Sequence, residues 1–355
     1  MNTDKVVVAM SGGVDSSVAA ALLEQQGYEV IGMMLRLWSE AGREDSNRCC
    51  TPDAMTQARR VAALLDIPFY VVDAKEIFRS TVVQYFLDGY AQGVTPNPCL
   101  ICNRAIRWDF MLDHALALGA EFLATGHYAR KMKDESGKMK LLRAVDASKD
   151  QSYVLHGLTQ EKLAKTLFPI GDYPKSEVRR LAESFGLPTA TRADSQDLCF
   201  LAGEDYREFL RRNAPETGKP GPILSRDGRV LGQHQGLAFY TIGQRKGLGI
   251  ASSQPLYVLA KELATNSLIV GREAELGRSE LAAEDVNWIA GQPPAASFRA
   301  QVKIRYSAKD APAEVRLMNG QQARIRFDTP QRGVTPGQAA VFYAGEVLLG
   351  GGIIV

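Results

Sequence analysis

Residues 11–16 of this 355-residue chain read Ser-Gly-Gly-Val-Asp-Ser. Two glycines let a backbone come close to an oxyanion, and a helix starting behind them points unpaired N–H groups and its positive dipole end at it. Ser11 and Ser16 add hydroxyl donors, and Asp15 adds a carboxylate. The chemistry this set supports is phosphate binding. It is neither a Walker loop nor a G-x-G-x-x-G turn. A glycine turn that only closes a βα unit is the simpler alternative, but strand, motif and helix stand in register for an anion site.

Thiols form the second reactive set. There are five cysteines, an odd number. Cys99 and Cys102 lie in Thr-Pro-Asn-Pro-Cys-Leu-Ile-Cys-Asn-Arg, residues 95–104. The two prolines are expected to hold this segment extended ahead of a helix over 104–118. Cys102 then falls at or near a helix N-terminus, a setting that favours thiolate, and Arg104 adds positive charge. Cys199 lies far along the chain in Ser-Gln-Asp-Leu-Cys-Phe. A C-x-x-C pair can be half of a zinc site, but no second pair or suitably spaced histidines accompany it. Cys199 can also be read as a buried apolar cysteine, and His127 as a surface histidine. Cys49-Cys50 sit in a polar stretch and receive no role.

The elements that must position these groups follow from periodicity. Lys5 to Met10 is an apolar β-branched run, and residues 17–26 show helical spacing with Gly27 as a stop. Further strands are expected over 28–35, 68–72 and 121–125. Residues 39–50 read as a polar loop. Thr51-Pro52 caps a helix to about Leu65, and residues 75–91 suit another. Alternating strands and helices predict a parallel, doubly wound sheet, with ligands at the carboxyl ends of its strands. Helices are expected over 159–165, 176–185 and 205–212. From Gly218 the texture turns to glycine, proline and short β runs, with Asp227-Gly228 as a hairpin signal. From about residue 281 only strands are read. Val302–Tyr306 and Ala323–Phe327 alternate, which predicts a small barrel or sandwich with Lys and Arg outside.

A net charge of +2, with 45% hydrophobic and 23% charged residues, is ordinary for a globular chain. It does not by itself announce nucleic acid. No run approaches the roughly 18 apolar residues of a membrane span, and the N-terminus enters a strand without an apolar leader. The expected location is the cytoplasm, with no membrane partner. Cysteines there serve catalysis or metal binding more often than structural disulfides.

SGGVDS resembles the PP-loop of ATP pyrophosphatases, which cleave ATP between the α and β phosphates and adenylate a substrate. The resemblance extends along the chain. Asn97-Pro98, Cys102-Asn103, Ala124-Thr125-Gly126-His127-Tyr128, Lys149-Asp150-Gln151-Ser152-Tyr153 and Cys199-Phe200 carry its first half. Gly232-x-His234-x-Gly236, Thr241-x-Gly243-Gln244-Arg245-Lys246-Gly247-Leu248, Thr335-Pro336-Gly337-Gln338 and Gly350-Gly351-Gly352 carry its second. In this order and spacing they resemble the bacterial tRNA-specific 2-thiouridylase family, MnmA, from near residue 5 to the end.

That resemblance implies an α/β PP-loop domain over 1–204, a small mixed or β domain over 205–278 and a tRNA-binding β-barrel over 279–355. It implies sulfur insertion at C2 of the wobble uridine of tRNA, with ATP and Mg²⁺. Carried over by position, Ala9, Met10, Ser11, Gly12, Gly13, Val14, Asp15, Ser16 and Leu35 hold ATP, and Gly126 closes the site. Asp15 stands near Mg²⁺ on the leaving pyrophosphate. Asn97, Pro98 and Cys99 face the target base. His127, Lys149, Asp150, Gln151, Arg305, Tyr306 and Gln338 contact tRNA. Cys199 carries a persulfide and Cys102 resolves it. A cysteine desulfurase or sulfur-relay protein is the implied donor.

One position departs from the pattern. The well-studied form of the family has Asp where this chain has Cys99, and a thiol, with an ordinary pKa of about 8.5, does not replace a carboxylate. Cys99, Cys102 and Cys199 also make a three-thiolate set for a 4Fe-4S cluster, the alternative route for sulfur delivery. Two other readings compete: an ammonia-using PP-loop ligase, which needs neither Cys102 nor Cys199, and a non-catalytic tRNA-binding protein, which needs no intact SGGVDS.

Overall fold

The computed structural model describes residues 4–40, 42, 51–192, 198–318 and 320–355. Cys49-Cys50, most of the loop expected over 39–50, and Ser195 to Asp197 lie outside the described residues. Five parallel strands form the first sheet, in the order β3-β2-β1-β4-β7. They are β1 (Lys5–Ala9), β2 (Glu29–Arg36), β3 (Phe69–Asp73), β4 (Phe122–Thr125) and β7 (Thr166–Leu167). The doubly wound sheet read from the sequence is therefore present. Its order reverses between β1 and β4, and the crevice of such a sheet opens at that switch point.

β1 is buried on both faces, which is why its sequence is a continuous apolar run. Val6 and Val8 face helix α1 (Val14–Gln25) and helix α2 (Pro52–Leu64). Val7 and Ala9 face Trp108, Met111 and Leu112 on the other side. The Thr51 hydroxyl accepts the Ala54 N–H at 3.0 Å, and Pro52 occupies the first turn of α2, as its sequence predicts. Gly27 takes a φ of +85° behind α1.

A hairpin not read from the sequence, β5 (Ala129–Lys133) and β6 (Met139–Arg143), leaves β4 and joins another sheet. A four-stranded sheet follows, in the order β10-β11-β8-β9, built from β8 (Gly221–Ser225), β9 (Val230–His234), β10 (Tyr257–Glu262) and β11 (Ser267–Gly271). The Asp227-Gly228 hairpin joins β8 to β9, with Gly228 at φ +87°.

The C-terminal part closes into a six-stranded barrel. Its strands are β12 (Gly277–Trp288), β13 (Ser297–Lys303), β14 (Ala311–Leu317), β15 (Ala323–Arg332), β16 (Ala339–Ala344) and β17 (Val347–Ile354). The order β12-β15-β14-β13-β16-β17 returns to β12, and β6 adds to β17 outside the ring. One core cluster runs from Val7 and Trp108 into Val341, Tyr343 and Leu348, so the barrel shares a core with the parallel sheet.

β15 alternates as expected, burying Ala323, Ile325 and Phe327. Its outer face carries Arg324 and Arg326, as expected, and acidic residues stand beside them. Arg324 pairs with Glu280, Arg326 with Glu314 and Arg299 with Asp328, so carboxylates neutralise these exposed arginines. Among the described residues no helix is long and apolar enough to cross a membrane.

Candidate active site

β1 delivers the chain to the SGGVDS turn. Gly12 is left-handed at φ +72°, and a Cβ there would meet the Ala54 carbonyl oxygen at 2.2 Å, so only glycine fits. Gly13 is the N-cap of α1 and offers no side chain. The helix starts at Val14, three residues earlier than its periodicity suggests, so Val14, Asp15 and Ser16 form its first turn. The Ser16 hydroxyl accepts the Ser11 N–H at 3.2 Å and donates to the Gly13 carbonyl at 3.2 Å. That hydroxyl folds the loop back on itself around the helix N-terminus, where unpaired amides can receive an anion.

Gly126, at the end of β4, closes the other side. A Cβ there would lie 2.7 Å from the Ser16 nitrogen and 2.8 Å from the Asp15 carbonyl carbon. Leu35, near the carboxyl end of β2, packs against the cluster that holds Val7 and Ala9, on the face of the sheet opposite α1. Residues 9–16 and Gly126 thus meet at the switch point, and Leu35 lies at the carboxyl end of the neighbouring strand β2.

Sequence reasoning missed three groups here. Lys175 donates to both oxygens of Asp15, at 2.7 and 2.9 Å. The Tyr128 hydroxyl donates to the same carboxylate at 2.8 Å. Arg192 donates to the Gly12 carbonyl at 3.1 Å and pairs with Asp53 at 3.0 Å. Lys175 did leave a signal: it opens a helix, Lys175–Ser184, where the dipole disfavours a cation unless a partner is present.

The cysteine segment corrects its expectation. The helix does not begin at Arg104. Asn97 is an N-cap whose side chain accepts the Cys99 N–H at 3.2 Å, Pro98 takes the first position, and a helical run continues over 98–117. Cys99 therefore lies in the first turn and Cys102 just beyond it, where the helix widens to a π turn over Cys102–Met111. Cys99 is exposed, whereas Cys102 and Cys199 are half-buried. Cys199 opens a short turn, Cys199–Leu201, and both half-buried thiols pack against one core cluster containing Phe78, Ile106 and Phe200. Leu35 packs against that cluster too. The fold thus carries Cys102 and Cys199 to one region beside the sheet.

No three of His, Cys, Asp and Glu among the described residues are grouped to hold a metal ion. The alternative set of Cys99, Cys102 and Cys199 is not assembled as cluster ligands here. Cys99 is exposed, while Cys102 and Cys199 lie half-buried against the apolar cluster.

The barrel approaches the same segment. Thr95 N–H donates to the Pro336 carbonyl at 2.9 Å, and the Gln338 amide donates to the Thr95 carbonyl at 2.8 Å. Tyr306 is 43% exposed, and burial, then the charges of Asp150 and Cys99, push its phenol pKa up. Arg305 donates to the Ile242 carbonyl at 3.0 Å and to the Thr335 hydroxyl.

Two residues expected to contact RNA are interior. His127 is 8% exposed, with Nδ1 2.9 Å from the Thr125 hydroxyl and its ring 5.6 Å from Trp108. Burial, aided by Arg107, holds its imidazole well below the ordinary pKa. Asp150 is 6% exposed and accepts the N–H groups of Ala144 and Ser152 and the Ser152 hydroxyl. Its backbone-bonding role explains the burial. Gln151 is half-buried and accepts the Tyr128 N–H at 2.9 Å, and Lys149 is half-buried beside it.

Three protein-family models match in succession: the tRNA methyl transferase HUP domain over residues 4–203, the tRNA methyl transferase PRC-barrel domain over 207–272 and the aminomethyltransferase beta-barrel domain over 278–354. The tRNA-specific 2-thiouridylase MnmA of Moorella thermoacetica is 50% identical over 351 residues, covering 98% of each chain. That of Chloroflexus aggregans is also 50% identical over 351 residues, again 98% of each chain. Among solved structures, the U34-tRNA thiolase NcsA from Methanococcus maripaludis with its 4Fe-4S cluster matches 60% of this chain and 67% of that one, at 23% identity and a TM-score of 0.35. A match that distant carries nothing about this chain's cofactors.

Proposed function

Because the chain belongs to the tRNA-specific 2-thiouridylase family, and so is an ATP-binding tRNA sulfurtransferase, we propose that it thiolates C2 of the wobble uridine through an adenylated intermediate and two cysteines. A C2 carbonyl oxygen is a poor leaving group. The oxygen attacks the α phosphorus of ATP, pyrophosphate departs, and the oxygen becomes part of AMP. Residues 9–16, Leu35 and Gly126 hold the nucleotide. Mg²⁺ enters with it, and Asp15 is the carboxylate that meets the ion.

Sulfur arrives on Cys199 as a persulfide, supplied in the cytoplasm by a cysteine desulfurase or a sulfur-relay protein. The terminal sulfur attacks C2. The Cys102 thiolate then attacks the inner sulfur, and the S–S electron pair passes to the sulfur on the base, which expels AMP. The products are 2-thiouridine and a Cys102–Cys199 disulfide, the balance of an ordinary thiol–disulfide exchange. Residues 1–204 perform the chemistry, 205–278 form a central domain, and 279–355 bind tRNA. Asn97, Pro98 and Cys99 face the base, which must leave its stack to reach them. Lys149, Gln151, Arg305, Tyr306 and Gln338 face the RNA, with His127 and Asp150 supporting from inside.

The observation that carries this reading is that Cys102 and Cys199, far apart in sequence, pack on the one cluster that Leu35 also touches. The test is incubation with tRNA, Mg-ATP and a cysteine desulfurase with cysteine as the persulfide donor, with 2-thiouridine read by mass spectrometry of the digested RNA. Wild type alone should thiolate. Equal product from Cys102→Ser and Cys199→Ser would make the cysteines structural and leave the donor's sulfur to attack the adenylate unaided.

A further inference from the structure

Asp15 has a countercharge built into the protein. Lys175 Nζ reaches both of its oxygens at 2.7 and 2.9 Å, and lies 5.7 Å from the centre of the Tyr128 ring. Lys175 is only 9% exposed, and it opens its helix, so neither burial nor the dipole favours a cation there.

Its placement is nevertheless enforced from two sides. The Lys175 N–H donates to Asp146 Oδ2 at 3.0 Å, and Oδ1 of the same carboxylate accepts the N–H and hydroxyl of Ser148. These bonds hold the Asp146 carboxyl below the usual range. Tyr128, the second group on Asp15, is gripped by Gln151 at both backbone groups, at 2.9 and 2.8 Å. Arg192, another cation at the loop, is committed to Gly12 and Asp53.

We propose that Lys175 is a positioning residue for adenylation: it stands on Asp15 where the nucleotide's cation will stand, and the two exchange when Mg-ATP binds. This rests on the assignment of residues 9–16 to ATP. An ammonium and Mg²⁺ compete for the same two carboxylate oxygens. The displaced lysine, a point charge on a flexible stem, then turns to the phosphates. Without Lys175, Asp15 sets an uncompensated negative charge against the ATP tetra-anion. Metal-free ATP meets that charge in full, whereas Mg-ATP brings its own neutralising ion.

Equilibrium dialysis of labelled ATP, in Mg²⁺ and in EDTA, tests this without turnover. Lys175→Met should weaken metal-free ATP about tenfold more than Mg-ATP, because like-charge juxtaposition is costly. Lys175→Arg should keep the wild-type ratio, and adding Asp15→Asn to Lys175→Met should restore it. Asp15→Asn alone should bind metal-free ATP more tightly than wild type, a result that does not depend on the Lys175→Met protein folding. Parallel loss of both forms in Lys175→Met, or Asp15→Asn no tighter for metal-free ATP, overturns the proposal. Wild type that binds ATP in neither condition instead brings down the nucleotide-site assignment beneath it.

Discussion

Asp15 sits where the first turn of α1, Lys175 and Tyr128 meet, so its removal should separate chemistry from RNA binding. Asp15→Ala is expected to abolish 2-thiouridine formation while a gel shift with tRNA stays near wild type; retained thiolation would count against the PP-loop reading. Gly126 gives a steric test of the same site. A methyl there would press on backbone atoms of Asp15 and Ser16 at 2.7–2.8 Å, and backbone cannot swing aside. Such overpacking costs about 1–3 kcal/mol, so Gly126→Ala should raise the KM for ATP about tenfold, since tenfold corresponds to about 1.4 kcal/mol. An unchanged KM would put the nucleotide elsewhere. At this scale the glycines and Asp15 were legible because motif, strand and helix are contiguous. Lys175 was not, because it meets Asp15 across 160 residues, and no local pattern encodes such a pairing.

Among elements, the helix over 98–117 shows where local rules compete. Pro-Asn-Pro reads as extended chain, yet the second proline suits a first helical position and the asparagine before it suits an N-cap. The structure takes the second option and moves Cys102 from a helix end into the helix. Asn97→Ala should therefore lower stability by about 1 kcal/mol, seen as a reduced urea midpoint, and Asn97→Asp should restore it. No change would mean that the Cys99 N–H finds another acceptor. The β5–β6 hairpin escaped because its residues, Ala-Arg-Lys-Met-Lys and Met-Lys-Leu-Leu-Arg, are basic. It is stabilised by adding to β17, not by its own pattern. β15 was legible because one of its faces is buried and the other is wet.

Across the whole molecule, the barrel and the parallel sheet are tied through buried groups. The Tyr153 hydroxyl donates to the Ala339 carbonyl at 3.0 Å and accepts the Ala339 N–H at 3.1 Å. Tyr153→Phe leaves both backbone groups unpaired in the core, at about 1–3 kcal/mol for a buried group left unsatisfied, and should lower the melting temperature. An unchanged melting temperature would mean that this tie contributes nothing. Two buried histidines make stability depend on pH. Burial, with Arg107, holds His127 well below the ordinary 6.5; burial, with Arg104 and against the Tyr153 carbonyl bond, lowers His156. The unfolded chain binds protons near pH 6.5 and the folded one does not. Stability is thus full above about pH 6.5 and lost as pH falls below it, by up to about 1.4 kcal/mol per unit for each histidine. Urea unfolding at pH 7.5 and 5.5 should show that loss, and His127→Gln should reduce it; a flat profile would contradict the burial. Which surfaces meet, such as Gln338 on Thr95, depends on packing between remote segments and is not written in any one stretch.

Completion of one sulfur transfer by two remote cysteines is open to a single-turnover experiment. Protein carrying a Cys199 persulfide is mixed with Mg-ATP and tRNA, then alkylated and digested without reductant, and the peptides are weighed beside the nucleosides. One Cys102–Cys199 disulfide is expected for each 2-thiouridine formed. Thiolated tRNA with both cysteines still open to alkylation would contradict it.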